Sequence, residues 1–172
     1  MQWQVGIITL SDRGASGERK EDLSGQVIQD TLENISKSSV KAKYIVTDRI
    51  LLPDDKEQLK STIVDLVDNK GLHLILTTGG TGFSPRDNTP EATLEIAEKL
   101  VPGIAEAARA FSLQITKNSM LSRGVSVIRG RTLIVNLPGS PKACKEILEY
   151  ILPALDHGMD ILAGIPEDEA KP

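Results

Sequence analysis

The feature that most constrains this chain is Leu72-His73-Leu74-Ile75-Leu76, a nearly unbroken apolar run that leads straight into Thr77-Thr78-Gly79-Gly80-Thr81-Gly82. A strand with apolar side chains on both faces is stable only where both faces are covered. That is the environment of a central strand in a sheet flanked by helices. Three glycines within five residues then mark an abrupt end to the strand and a backbone free to turn sharply.

The rest of the chain falls into place around this strand. Val5-Gly6-Ile7-Ile8-Thr9-Leu10 reads as a first strand that ends at Ser11-Asp12-Arg13-Gly14. Leu23, Val27, Ile28, Leu32 and Ile35 follow at helical spacing. Tyr44-Ile45-Val46 begins a second strand that extends toward Leu51-Leu52 and is stopped by Pro53. Asp54 or Asp55 then occupies the N-cap of a helix striped by Leu59, Ile63, Leu66 and Val67. Thr89-Pro90-Glu91 opens a helix expected to run to about Leu100, and Pro102-Gly103 separates it from another carrying Ile104, Ala107, Ala108, Phe111 and Ile115. Residues 125–128 and 132–135 predict a short hairpin about Arg129-Gly130-Arg131. A last long helix starts at Ser140-Pro141, with Pro153 expected to kink or interrupt it. Strand and helix alternate, so the fold class is α/β: one domain over residues 1–165, with a polar tail over 166–172 that is expected to fray. In such a sheet the loops after Leu10, Leu76 and Val135 converge on one edge, where ligands collect.

Composition narrows the partners. Aromatic residues make up 3% of the chain, so the core must be aliphatic and no platform for stacking bases is available. A net charge of -4 argues against nucleic acid, whose phosphates are met by clustered Lys and Arg. A small anion remains compatible, because a local pocket can be positive on an acidic protein. No apolar run reaches membrane-spanning length, and Met1-Gln2-Trp3-Gln4-Val5 lacks the features of a signal peptide. The single cysteine, Cys144, leaves no intrachain disulfide, and a cytoplasmic location is expected.

Thr78-Gly79-Gly80-Thr81-Gly82 is the strongest candidate site. Glycines after a buried strand let backbone N–H groups turn inward on a phosphate, and the threonines add hydroxyl donors. A plain strand-to-helix turn uses the same residues. Asp87 follows closely. A carboxylate beside phosphates repels them unless a cation intervenes, so Asp87 reads either as a Mg2+ ligand or as a solvated turn former. Asp54 reads first as a cap. Pro138, Gly139 and Ser140 precede a helix whose N-terminus favours negative charge, with Lys142 as a nearby cation; an unliganded helix start fits equally. Ser11 and Arg13 after the first strand, and Ser122 and Arg123 before the hairpin, are weaker anion contacts, with Asp12 available to orient Arg13. His73 reads as packed and His157 as a surface residue. No His/Cys cluster has metal-ligand spacing, and no Ser or Cys nucleophile has a recognisable partner.

With these residues in view, the chain closely resembles the molybdopterin adenylyltransferases, the Mog-type enzymes of molybdenum-cofactor synthesis. The resemblance rests on Ser11-Asp12-Arg13, Leu52-Pro53-Asp54, residues 77–92, Leu121-Ser122-Arg123 and Asn136-Leu137-Pro138-Gly139-Ser140-Pro141. Residues 78–82 mark the wider superfamily. Arg86-Asp87-Asn88-Thr89-Pro90-Glu91-Ala92 together with Leu52-Pro53-Asp54 is more specific. The resemblance implies a three-layer molybdopterin-binding fold, mostly parallel, usually assembled as a homotrimer. It also implies adenylyl transfer from ATP to molybdopterin with Mg2+, and a catalytic role for Asp54 and Asp87, the same pair holding the metal. A transient contact with the molybdenum-insertion protein is compatible with it. The competing expectation is a non-catalytic paralogue of the same fold that binds molybdopterin or a nucleotide; the presence of Asp54 and Asp87 speaks against it.

Overall fold

The computed structural model describes residues 1–18 and 22–165, so the tail expected to fray lies outside the described residues. Six strands form one sheet: β1 (Gln2–Leu10), β2 (Lys43–Leu52), β3 (Leu74–Thr78), β4 (Lys99–Leu100), β5 (Ser126–Arg129) and β6 (Thr132–Leu137). Their spatial order is β2-β1-β3-β6-β5-β4. The first four of that order run parallel, and the hairpin strand β5 is antiparallel to β6. The expected hairpin therefore forms, turning at Gly130 with φ +56°.

Alternation along the central strands explains the layers. Val5 and Ile7 of β1, Leu74 and Leu76 of β3, and Leu133, Val135 and Leu137 of β6 share one face. They are covered by α2 (Leu23–Ser38) and α6 (Pro141–Ala163), with Ile104 and Ala108 of α5 (Pro102–Leu113) at the margin. Ile8, Leu10, Ile75 and Ile134 point to the other face, onto α3 (Lys56–Val64) and α4 (Thr89–Glu95). The central run is thus apolar on both faces because a helical layer lies on each. A single-turn helix, α1 (Asp12–Ala15), sits directly after β1.

Three local expectations are corrected. The central strand starts at Leu74 and takes in Thr77 and Thr78, so Thr78 belongs to the ladder and the turn begins at Gly79. Helix α4 ends at Glu95 rather than near Leu100, because Glu98 and Val101 donate their backbone N–H groups to Ile128 and Ser126 and the segment becomes edge strand β4. Pairing to a sheet edge overrides the helical pattern there. Pro153 does not interrupt α6, which runs 23 residues to a left-handed cap at Gly164.

The reason α6 survives its proline lies beyond it. Leu155 and Met159 are buried in the core. Asp156 accepts a hydrogen bond from the Tyr44 hydroxyl at the start of β2. Burial, followed by the hydrogen bond to Asp156, pushes the Tyr44 phenol well above its usual range. The hydroxyl therefore stays protonated and keeps donating to the carboxylate. We predict that Tyr44→Phe, which leaves Asp156 without this donor, costs about 2 kcal/mol of stability in urea unfolding at neutral pH.

Candidate active site

Because β1, β3 and β6 are parallel neighbours, the loops that follow them leave the sheet side by side. Gly79 (φ +94°) is where they meet: a Cβ there would lie 2.5 Å from the Leu10 carbonyl oxygen. A Cβ on Gly139 would lie 3.6 Å from the Gly79 Cα. Gly80 (φ +68°) is also left-handed and is pressed against the Thr89 hydroxyl. Thr89 fastens the turn by donating its hydroxyl to Gly79 O at 2.9 Å and its N–H to Gly80 O at 3.1 Å. Thr78 is buried and donates to Pro138 O at 2.7 Å, which ties the loop after β3 to the loop after β6. Cys144 lies beneath this contact; burial pushes its thiol up to about 11, so it stays a neutral packing group.

This backbone wall divides two clefts. One, of about 650 Å³, is lined by Thr9, Ser11, Asp22, Ser24, Thr78, Gly79, Gly139 and Pro141. The other, of about 330 Å³, is lined by Thr81, Gly82, Arg109, Ser112, Asn118, Ser119, Ser122, Asn136, Pro138 and Ser140. In the second, the Ser119 hydroxyl is buried without a hydrogen-bond partner among the described residues. Arg109 enters it from α5 and donates to Gly124 O at 2.7 Å. Ser140 caps α6 by accepting from Ala143 N, so a helix N-terminus opens onto the wall as expected. Lys142 instead points along α6 toward Glu146 at 3.7 Å.

The carboxylates stand at the rim of the wall. Asp55, not Asp54, caps α3 by accepting from Gln58 N at 2.8 Å. Asp54 is thereby released from the cap and turns back to β1. Its Oδ2 accepts from Asp12 N at 3.1 Å, and its own N–H donates to Asp12 Oδ1 at 2.9 Å. Asp54 also lines a small recess with Arg86 and Thr89. Its pKa is raised by burial first and by the charges of Asp12 and Asp87 after it. Asp87 is half-buried, and its Oδ2 accepts from Ser84 N at 3.0 Å. A Cβ on Gly82 would sit 2.9 Å from the same oxygen, so the carboxylate lies directly over that glycine.

Two of the expected arginine contacts are arranged differently. Asp12 orients Arg86 rather than Arg13, through bonds of 2.6 and 2.7 Å, and these bonds lower the Asp12 pKa. Arg13 is exposed on α1, outside both clefts. Arg123 lies behind the glycine turn, bound to Glu91 and to loop carbonyls. Sequence reading missed Arg109, Ser112, Asn118 and Ser119, which sit on a helix and a following turn (Lys117–Leu121) with no motif to mark them. It also missed Asp22 and Ser24 at the start of α2. His73 accepts from Gln4 N and packs edge-on to Trp3, while His157 is exposed, as expected for both.

Residues 6–157 match the family described as "Probable molybdopterin binding domain". The molybdopterin adenylyltransferase of Escherichia coli K12 is 40% identical, with 95% of this chain and 82% of that protein covered. That of Helicobacter pylori J99 is 36% identical, covering 93% and 88%. Among solved structures, the molybdopterin biosynthesis enzyme MoaB of Thermus thermophilus superposes with a TM-score of 0.85 at 44% identity, covering 95% of this chain and 98% of that one.

The raised pKa of Asp54 has a measurable consequence. The unfolded chain titrates this group near 3.8 and the folded protein higher, so between the two values the folded state binds more protons. Stability from this group is present below the unfolded value and is lost as pH rises through the folded one. We predict that Asp54→Asn is at least as stable as the native protein at pH 7, and that its relative advantage shrinks toward pH 4, in urea unfolding at both pH values.

Proposed function

The chain belongs to the molybdopterin-binding domain family, and from that membership we propose that it is a molybdopterin adenylyltransferase that makes adenylyl-molybdopterin and pyrophosphate from ATP and molybdopterin in molybdenum-cofactor synthesis. The observation that carries this reading is the pair of clefts flanking one glycine wall. A reaction that joins two bulky anions needs two seats with a shared boundary at which their phosphates meet.

In this reading an oxygen of the terminal phosphate of molybdopterin attacks the α-phosphorus of ATP. The new P–O bond forms as the bond to the β-phosphate oxygen breaks, and pyrophosphate leaves with that electron pair. Backbone N–H groups of Gly80, Thr81 and Gly82, with the Thr81 hydroxyl, hold the phosphates, the Gly79 N–H being directed to Leu137 O, while Ser11, Ser122, Pro138, Gly139 and Ser140 shape the flanking surfaces. Thr78 acts from within the ladder, holding the loop after β3 against the loop after β6. No protein nucleophile is needed. Asp87 and Asp54 are the proposed catalytic carboxylates. This reading assigns no phosphate contact to Arg123, whose guanidinium is taken by Glu91 and loop carbonyls, nor to Arg13, which is exposed on α1.

Magnesium is tested against the residues themselves. Among the described residues no three His, Cys, Asp or Glu side chains converge as a self-contained cage. The charge of Asp87 is among the causes, after burial, that raise the Asp54 pKa. One or two carboxylates completed by phosphate oxygens and water are the usual protein share of a magnesium site. Asp87 with Asp54 therefore fits a Mg2+ that arrives with the polyphosphate, where it would offset charge on the departing pyrophosphate.

Two further elements belong to the same proposal. For the homotrimer that the family resemblance implies, the exposed apolar residues Leu113, at the end of α5, and Met120, in the turn that follows, offer surface for a subunit contact. A cytoplasmic setting suits the buried free thiol of Cys144, and among the described residues no helix is long and apolar enough to cross a membrane.

The decisive test is pyrophosphate release by the purified protein with ATP, Mg2+ and molybdopterin. We expect release to depend on molybdopterin and to fall by about 100-fold or more in Asp87→Asn. Full transfer by that variant would remove Asp87 from the mechanism. Release without molybdopterin would point to a hydrolase. Sedimentation should give three times the chain mass of 18.6 kDa, and Met120→Asp should shift it toward the single chain.

A further inference from the structure

Arg123 makes an unusual set of contacts for a residue beside a phosphate cradle. Its backbone N–H donates to Thr81 O at 2.9 Å. Its Nε donates to Gly82 O at 2.8 Å, and Nη2 donates to Asp87 O at 2.7 Å. The rest of the fork, led by Nη1, meets the Glu91 carboxylate in the first turn of α4. One side chain thus collects the carbonyls at both ends of the Gly82-to-Asp87 segment and fastens them to a helix. The guanidinium is already matched by a carboxylate, so it offers no net charge to a ligand.

The direction of these bonds matters. An anion cradle works only if its N–H groups face the ligand and its carbonyl oxygens face away, because each inward carbonyl repels phosphate. Arg123 draws the carbonyls of Thr81, Gly82 and Asp87 to itself. The same bonds fix where the Asp87 carboxylate can lie, since it rests over Gly82 and is held by Ser84 N.

We propose that Arg123, clamped by Glu91, is a positioning residue that holds the carbonyls of the glycine loop away from phosphate and sets the place of Asp87, rather than a phosphate ligand. This inference rests on the proposed function for what Asp87 does, but the brace itself can be read without turnover. A rigid planar fork is required, because a lysine in the same place carries the charge yet cannot reach several acceptors in one plane.

The test uses the full chain and three variants, Arg123→Lys, Arg123→Gln and Glu91→Gln, beside the native protein and Asp87→Asn. Hydrogen exchange in the ligand-free protein reads the brace directly. The Ser84, Asp87 and Thr89 amides should exchange at least tenfold faster in Arg123→Lys and Glu91→Gln, while those of the central strand β3 do not change. Unaltered exchange at these amides would overturn the inference. In molybdopterin-dependent pyrophosphate release, both variants should lose kcat by tenfold or more with KM for ATP and for molybdopterin within threefold, since small misplacements cost rate before affinity. If Arg123 instead grips phosphate, Glu91→Gln would free it and leave kcat unchanged or lower a KM, and Arg123→Gln would raise a KM tenfold. That pattern would also overturn the inference. Should Arg123→Gln fail to fold, the other two variants decide the matter. If the native protein releases no pyrophosphate, the functional reading fails, and the exchange data still decide whether the brace exists.

Discussion

The architecture of the site hangs on one close approach of backbone to backbone. Gly79 passes so near the Leu10 carbonyl that no side chain fits at its position, and Gly139 packs against it. The approach is possible because β1, β3 and β6 are adjacent and parallel, which releases their three loops in the same direction. It is kept by side chains that reach back from elsewhere: Thr89 onto the carbonyls of Gly79 and Gly80, and Thr78 onto that of Pro138. Move the loops apart by the size of a methyl group and the wall between the two clefts opens. The left-handed glycines are thus the condition on which the separation of the two clefts depends.

Sequence alone disclosed the parts of this arrangement that are local. The apolar run before the glycines marked the central strand, the threonines and glycines marked the turn, Pro53 marked a strand end, and Pro90 and Pro141 marked helix starts. Where the reading failed, distant partners had intervened. Residues 98–101 carry a helical pattern but pair with β5. Pro153 has the mark of a breaker, but the helix beyond it is held by buried Leu155 and Met159 and by Tyr44, which lies 112 residues away in the chain. The site divides in the same way. Asp54 and Asp87 are visible because they sit beside proline and glycine signals. The capping role of Asp55, which sets Asp54 free, is a matter of which oxygen faces Gln58, and two adjacent aspartates look alike in a sequence.

The arginines show the limit most clearly. Arg13, Arg86 and Arg123 all lie in motif segments, and each is a plausible anion contact by type. The fold gives them three different fates. Arg86 crosses 74 residues of sequence to clamp Asp12, Arg123 crosses 32 to Glu91, and Arg13 is left exposed. Arg109, with no motif, reaches the second cleft because α5 packs against α6 and the hairpin. Charge type could be read in advance; charge pairing is decided by tertiary contact.

That pairing bears on how an acidic chain handles two anionic substrates. Arg86 and Arg123 are neutralised by Asp12 and Glu91, so under the proposed function the turn between them would meet phosphate mainly with N–H dipoles. Fixed dipoles bind a resting polyphosphate less tightly than bare cations would, but they are already oriented and do not have to reorganise as charge moves during transfer. A site rich in free arginine would hold ATP and its pyrophosphate product with similar strength, and such uniform binding lowers KM without raising the rate. With both arginines paired internally, the carboxylates of Asp54 and Asp87 would leave room, under the proposed function, for positive charge to enter with the substrate and leave with the product. The internal ion pairs are therefore consistent with turnover rather than retention: they hold the loop rigid without presenting a free guanidinium to phosphate.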